Sequence, residues 1–227
     1  MSETNATLIA AGLILGSLLL IAGIVVATNR AARRRREGMS KAARHLRLDF
    51  AERGSASLVA ELSQYQLFSQ GHRKRIRNIC SGRPAEISTR LFDYQYTVGG
   101  GQHSNTWRQT VAVFESPHLN LPPFYARPEH FFHRVAEKFG KQDIDFEQDE
   151  EFSKKYLLRG DDEAAIRRVF TNAVRSHLAN LDKTTVEGRG HQLLFYRQGK
   201  RVSPDALDDF LKEAVHVFAL FKTATSP

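Results

Sequence analysis

Residues 6–28, ATLIAAGLILGSLLLIAGIVVAT, are followed at once by NRAARRRREG at residues 29–38, and this change from apolar to basic decides how the chain is organised. No charged residue lies between Glu3 and Arg30. A helix of about 23 residues rises roughly 34 Å, which is enough to cross a hydrocarbon core of about 30 Å with some tilt. The sequence therefore predicts a transmembrane helix at residues 6–28.

The flanks of this segment predict its orientation. A secretory signal peptide is the main alternative, but it begins with positive charge and has an apolar core of only about 7–15 residues. Residues 1–5 (MSETN) contain no Lys or Arg, whereas five arginines directly follow the span. Because Lys and Arg accumulate on the cytoplasmic side, we expect a single-pass protein of the inner (plasma) membrane. Residues 1–5 would lie outside, and the C-terminal domain would be cytoplasmic.

The single cysteine, Cys80, agrees with this orientation. A lone cysteine forms no intrachain disulfide, as is usual in a reducing compartment. No Arg follows it at the sixth position, which is Glu86, so a phosphate-binding cysteine loop is not supported. The sequence predicts that Cys80 is a small buried apolar side chain rather than a nucleophile.

The positive charge of the chain is concentrated beside the span. The whole chain carries a formal charge of +8, and residues 30–47 hold eight Lys or Arg against one Glu. From residue 48 onward the net charge is only +2, which argues against nucleic acid as a partner. We therefore predict a basic juxtamembrane stalk at 29–47 and a nearly neutral cytoplasmic domain at 48–227. The residues expected to meet anionic headgroups are Arg30, Arg33, Arg34, Arg35, Arg36 and Lys41. Fixing the topology is a sufficient alternative role for the same residues.

Small residues inside the span suggest a second role for the helix. Gly12 and Gly16 have the GxxxG spacing, and Gly23 lies one heptad further. Small residues at this spacing let two helix backbones approach closely. A homodimer formed through this face is one prediction, and chance occurrence of a common membrane-helix residue is the alternative.

The domain at 48–227 has the pattern of an α+β fold. Alternating apolar and polar residues, separated by Gly and Pro, predict antiparallel strands at 76–82, 85–98, 107–115, 119–126, 156–158, 184–187 and 192–197. Amphipathic helices are expected from Pro128 to Phe139, from Asp161 or Asp162 to about Leu181, and after Ser203. Gly38 is a potential interruption of a helical stalk, and Pro122 and Pro123 indicate an edge strand or its entry. Strands followed by segregated helices place the domain in the α+β class.

The search for chemistry finds no strong catalytic signature and implies no cofactor or metal. The best candidate is the set Glu129, His130, His133 and Glu137, in which His133 and Glu137 share a helix face as a base with its orienter or as a metal pair. Structural residues on an ordinary helix are the alternative. His103, in the loop at 99–106, is a second candidate. The acidic run at 143–151 lacks the glycine and the final glutamate of a calcium loop, so we expect a half-buried strand edge or an ordinary solvated face there.

Four segments carry a resemblance to a known group: FDYQYTVGGG at 92–101, LPPFYARPE at 121–129, KQDIDFEQDEEFSKKYLLRG at 141–160 and VEGRGHQLLFYRQGKRVSP at 186–204. With the preceding Arg-rich stalk, this order resembles a family of uncharacterised bacterial single-pass membrane proteins, over roughly residues 65 to 220. The resemblance implies an inner-membrane protein with a cytosolic α+β domain. It implies no activity and no catalytic residue.

These patterns favour a membrane-tethered cytoplasmic binding or adaptor module whose ligand or protein partner is unknown. An enzyme that uses His133 and Glu137 near the bilayer is the alternative from a different class. A third hypothesis is a sensor of anionic lipids that acts through the arginine stalk.

Overall fold

One continuous helix, α1 (Ser2–His45), opens the computed structural model, which describes residues 2–129 and 143–225. The interruption predicted at Gly38 is absent. A Cβ atom at Gly38 would lie 2.8 Å from Cγ of Pro204, so the glycine marks a close approach between α1 and the domain. The span and the stalk are therefore a single rod rather than two segments joined by a hinge.

From residue 13 onward, the apolar part of α1 is not covered by the other described residues. Leu13, Leu19 and Leu20 expose between 66% and 71% of their surface. Among the described residues, α1 alone is long and apolar enough to cross a membrane, by length and composition. Soluble proteins rarely expose an apolar surface of this size, so this stretch has the properties of a membrane anchor.

The described residues form one eight-stranded antiparallel sheet, which confirms the predicted α+β class. Its strands are β1 (Asp49–Arg53), β2 (His72–Gly82), β3 (Ser88–Val98), β4 (Asn105–Glu115), β5 (Leu121–Pro128), β6 (Tyr156–Arg159), β7 (Thr184–Gly190) and β8 (Gln192–Arg197). Their spatial order is β1-β2-β3-β4-β8-β7-β5-β6. The predicted hairpins β3–β4 and β7–β8 are both present.

The prolines of β5 lie at the entry of this strand and not at a sheet edge. β5 pairs with β7 on one side and with β6 on the other. Pro122 and Pro123 fall in the register irregularity between Leu121 and Phe124, before the pairing with β6 begins at Tyr125. Their missing N–H groups therefore interrupt no regular ladder.

Six shorter helices complete the described part: α2 (Ala56–Glu61), α3 (Gln66–Ser69), α4 (Glu150–Lys155), α5 (Glu163–Val169), α6 (Asn172–Ala179) and α7 (Leu207–Thr225). The single helix predicted from Asp162 to Leu181 is wrong, because α5 ends at Val169. Thr171 then caps α6, its Oγ1 accepting from the Val174 N–H at 3.4 Å. Arg175 donates to the carbonyl oxygen of Phe170 at 2.6 Å and so satisfies the interrupted backbone.

Two further expectations need correction. Pro128 ends β5 instead of opening a helix, and the rest of the helix predicted to Phe139 lies outside the described residues. The acidic run does bury Ile144 and Phe146, to 4% and 9% exposure, but it forms no strand. Its end instead begins α4, because the Asp149 carboxylate accepts from the N–H of Phe152.

Both faces of the sheet are covered. On one face, α7 and α5 supply an aromatic core in which the Phe124 ring lies 4.9 Å from that of Phe170 and 5.2 Å from that of Phe221. The fully buried Met39 and Ala43 of α1 belong to this core. On the other face, the segment around α2 and α3 covers the side chains of β3 and β4 that point away from α1, and together they form a second hydrophobic core. The end of α1 is therefore an integral part of the domain.

Candidate functional site

One end of the sheet lies beside the part of α1 that follows the apolar segment. Asp93 of β3 contacts Arg35, and the sulfur of Cys80, whose strand partner is Leu91, lies 3.8 Å from the Met39 carbonyl oxygen. Thus α1 and β3 run in opposite directions, and the end of β3 lies towards the anchor. The start of β2, the end of β3, the start of β4 and the loop after β8 meet there. We call this region the anchor-proximal end.

A buried ion pair fastens α1 to the sheet at this end. Nε and Nη2 of Arg35 donate to the two carboxylate oxygens of Asp93, each at 2.6 Å. Asn78 and Thr110 donate to the same carboxylate at 2.8 and 3.2 Å. The side chains of Arg35 and Asp93 are only 14% and 9% exposed. This bidentate geometry fixes both the position and the rotation of the helix.

A cleft of about 630 Å³ lies between α1 and the sheet next to this ion pair. Its α1 wall begins at Thr28 and Asn29, where the apolar segment ends. Seven arginines and two carboxylates line it, which leaves a formal excess of five positive charges: Arg33, Arg35, Arg36, Arg75, Arg77, Arg108 and Arg201, with Glu52 and Asp93. We refer to it as the arginine cleft.

Only some of these arginines are neutralised by carboxylates. Arg35 pairs with Asp93, and Arg36 pairs with Glu52 at 2.8 Å. Arg33 bonds to Glu37, also at 2.8 Å. No carboxylate among the described residues pairs with the remaining four, which are Arg75, Arg77, Arg108 and Arg201.

The register of the sheet explains why these four side chains converge. Arg75 lies opposite Gln95, which lies opposite Arg108, so the three form one row across β2, β3 and β4. The Arg108 Nε donates to the Gln95 side chain at 3.3 Å. Arg77 lies opposite Asp93 in the next row, and side chains two residues apart share a face of the sheet.

Arg201 enters the cleft from the loop after β8. The Gly199 N–H donates to Gln109, and the Lys200 carbonyl accepts from the Thr110 N–H, so the loop is bound to β4. Partial burial lowers the pKa of Arg201, and the positive charge of Arg35 lowers it further. An arginine remains protonated in any case, so this shift measures how closely the cations are crowded.

The structure distributes the predicted membrane-surface residues over different sides of α1. Arg30, Arg33, Arg34 and Lys41 are exposed. Arg35 faces the domain, and Arg36 is half-buried against β1. The sequence treated the run as one set, whereas the helical period separates it into a docking side and a solvent side. Contact of these residues with anionic headgroups stays a prediction.

Sequence reasoning missed the sheet side of the cleft. The run His72–Arg77 is visible in the sequence as a basic segment, and such a run ordinarily forms a solvated face. Arg75 and Arg77 are indeed exposed, but their alternation on β2 points them to the same side as α1. Arg108 and Arg201 stand far away in the sequence, and no local signal associates them with the stalk.

Two of the helix-association residues, Gly16 and Gly23, face open space among the described residues. A Cβ atom at Gly16 or Gly23 would meet no atom within 4 Å. Gly12 lies in the same helix. Their role in self-association stays a prediction.

The catalytic alternative falls largely outside the described residues, which exclude His130, His133 and Glu137. Glu129 is described, and its N–H donates to the Lys155 carbonyl at 3.0 Å. His103 ends a short 3₁₀ turn in the exposed β3–β4 loop. Within the parts of the chain that the structure describes, no three His, Cys, Asp or Glu residues are grouped as metal ligands.

Fold and cleft together define a class: an α+β domain with one antiparallel sheet, built onto the end of an apolar anchor helix. No protein-family model and no curated protein matches the chain. Among solved structures, the chain is similar to the mycobacterial trehalose monomycolate transport factor A, TtfA, with a TM-score of 0.58 at 11% identity. The match covers 87% of this chain and 97% of that one, so the two share a fold over nearly their full lengths.

Proposed function

We propose that the protein is a single-pass, membrane-tethered binding module that holds the anchor-proximal end of its cytoplasmic domain on anionic lipid. The observation that carries this proposal is the rigid continuity of α1 from the apolar segment into the domain core. Because the Arg35–Asp93 ion pair and the buried Met39 fix the direction of α1 relative to the sheet, the same end of the sheet always faces the bilayer. Membrane-surface arginines attract anionic headgroups by about 1 kcal/mol each.

The adaptor part of the proposal rests on the exposed surface of the domain. Outside α1, Val215 is the one large apolar side chain that is strongly exposed in the described residues. A partner protein would therefore meet a polar and charged surface. The similarity in fold to a trehalose monomycolate transport factor supports a role in transport. Membership of the bacterial family that the sequence resembles is part of the same proposal.

Cysteine labelling tests the orientation. The buried thiol of Cys80 is unreactive, since burial and then the charge of Asp93 raise its pKa to about 11. We expect a membrane-impermeant maleimide to label Ser2→Cys in intact cells and Thr223→Cys only after permeabilisation. The unmodified chain is the control, and it should stay unlabelled in both conditions. Labelling of Thr223→Cys in intact cells would reverse the proposed topology.

Hydrogen exchange tests the engagement of the membrane. The full chain would be placed in nanodiscs of phosphatidylcholine, with or without phosphatidylglycerol. We expect slower exchange at residues 72–77 and 99–108 on the anionic discs, because basic residues near the surface are drawn to it. Salt on the order of 0.5 M should remove the difference, since it shortens the Debye length to a few ångströms. β6, on the far edge of the sheet, is the internal control. Equal exchange on both discs would overturn the proposal.

A further inference from the structure

The arginine cleft has the composition of a site for a small anion. Its four arginines without carboxylate partners come from β2, β4 and the loop after β8, and they surround one cavity. Folding has therefore brought like charges together from distant parts of the sequence. Like charges at this separation repel one another, and an anion between them would remove that repulsion.

The residue type narrows the chemistry of that anion. All the cationic side chains of the cleft are arginines, and none is lysine. The planar guanidinium donates two parallel hydrogen bonds, a geometry that matches phosphate and carboxylate oxygens. Arg75 and Arg108 stand two strands apart, about 10 Å at the backbone, on either side of Gln95, so their longer side chains can reach one phosphate above the sheet.

The carboxylates of the cleft do not repel such an anion. Asp93 accepts from Arg35, Asn78 and Thr110, so its charge is fully engaged. Glu52 pairs with Arg36. Donor groups on the remaining arginines stay available.

The position of the cleft suggests how a lipid would reach it. The α1 wall of the cleft begins at Thr28 and Asn29, and the helix before them is exposed and apolar. A phospholipid in the adjacent leaflet can keep its acyl chains along this apolar part of α1 while its headgroup enters between Arg75 and Arg108.

We infer that the arginine cleft binds a phosphate-bearing group, presented either by a phospholipid headgroup or by a free phosphate compound. The lipid route rests on the proposed function, because it requires the anchor-proximal end to lie at the membrane. Binding of a free phosphate does not require this.

The first test is a calorimetric titration of the full chain in detergent with inorganic pyrophosphate. We expect saturable binding, and we expect Arg75→Gln/Arg108→Gln to weaken it at least tenfold. The matched control is Arg83→Gln/Arg168→Gln, which removes the same charge from exposed sites outside the cleft and should change the affinity less than twofold. Arg201→Gln, a single change in a loop, keeps the test decisive if the double variant fails to fold. No saturable binding, or equal binding by all variants, would overturn the inference.

The second test distinguishes the two sources of phosphate. The same titration is made in discs that contain phosphatidylglycerol and in discs of equal surface charge that contain oleate. A lipid headgroup in the cleft should lower the apparent affinity for pyrophosphate at least fivefold in the phosphatidylglycerol discs alone. Equal affinities in the two discs assign the site to a free phosphate compound. If pyrophosphate did not bind but hydrogen exchange were still slowed on anionic discs, this inference would be refuted and the proposed function would stand.

Discussion

Replacing Asp93 by alanine is expected to lower the free energy of unfolding of the domain by about 3 kcal/mol. The change leaves the guanidinium of Arg35 without its bidentate partner in a site where that side chain is only 14% exposed. Asn78 and Thr110 lose the same acceptor. The cost lies at the lower end of the range for a broken buried ion pair, because some water still reaches the arginine.

Urea unfolding of the full chain in detergent would measure this effect through Trp107. This residue is the only tryptophan, and it packs against the second hydrophobic core. The control is Glu37→Ala, which removes the partner of Arg33 from an exposed pair and should leave the unfolding midpoint unchanged. Arg35→Met combined with Asp93→Ala should cost less than the two single changes together. Full additivity would mean that the ion pair does not hold α1.

Asp93→Ala should also change the arginine cleft. Met39 and Ala43 would still bind α1 to the core, but the helix would lose its fixed contact nearer the membrane. We therefore expect the α1 wall of the cleft to become mobile before the sheet does. The ion pair that holds α1 and the arginine cleft share Asp93 and Arg35, so a change at either residue affects both the stability of the domain and the cleft.

Local patterns explain which parts of the fold the sequence predicted. The aromatic residues of β3 alternate over residues 92–96, β4 is rich in β-branched and aromatic residues, and a glycine-rich loop joins the two strands, so their hairpin was predictable. The break between α5 and α6 was not, because Phe170 and Val174 suit one continuous apolar face. There the cap formed by Thr171 and the burial of Phe170 prevail over helical periodicity.

The candidate site was predictable only in part, for a different physical reason. The basicity of α1 is a local property and is visible in the sequence. The net charge of +2 from residue 48 onward says nothing about where the charges lie in the fold. It therefore does not reveal that Arg75, Arg108 and Arg201 meet at one end of the sheet. Strand register and the position of α1 decide this, and both depend on long-range packing.

Glu187 is a buried residue whose environment also depends on long-range packing and is not visible in the sequence. Its replacement is the second change from which we expect a large effect. The side chain lies in β7 and is 0% exposed. Its carboxylate accepts from the N–H groups of Gln66 and Leu67, at 2.6 and 3.0 Å, and from the hydroxyl of Tyr196 at 2.9 Å. A glutamate in a strand would ordinarily face water, but here the segment around α3 covers that face of the sheet.

Glu187→Ala should therefore lower the free energy of unfolding by about 4 kcal/mol, since three buried donors lose their acceptor at about 1–3 kcal/mol each. For a domain of this size, the melting temperature should fall by roughly 10 °C. Glu187→Gln should also destabilise the domain, because its NH₂ group would face donors on at least one side.

Differential scanning calorimetry and hydrogen exchange would check this prediction together. Because Glu187 anchors the start of α3, exchange should rise first at Tyr65, Leu67 and Phe68, which cover the second core. The control is Gln192→Ala, which removes hydrogen bonds to Tyr65 and Glu115 at a partly exposed position and should cost far less. If Glu187→Ala melted like the unmodified chain, water would have to enter and satisfy all three donors, and the covering segment would not depend on this carboxylate.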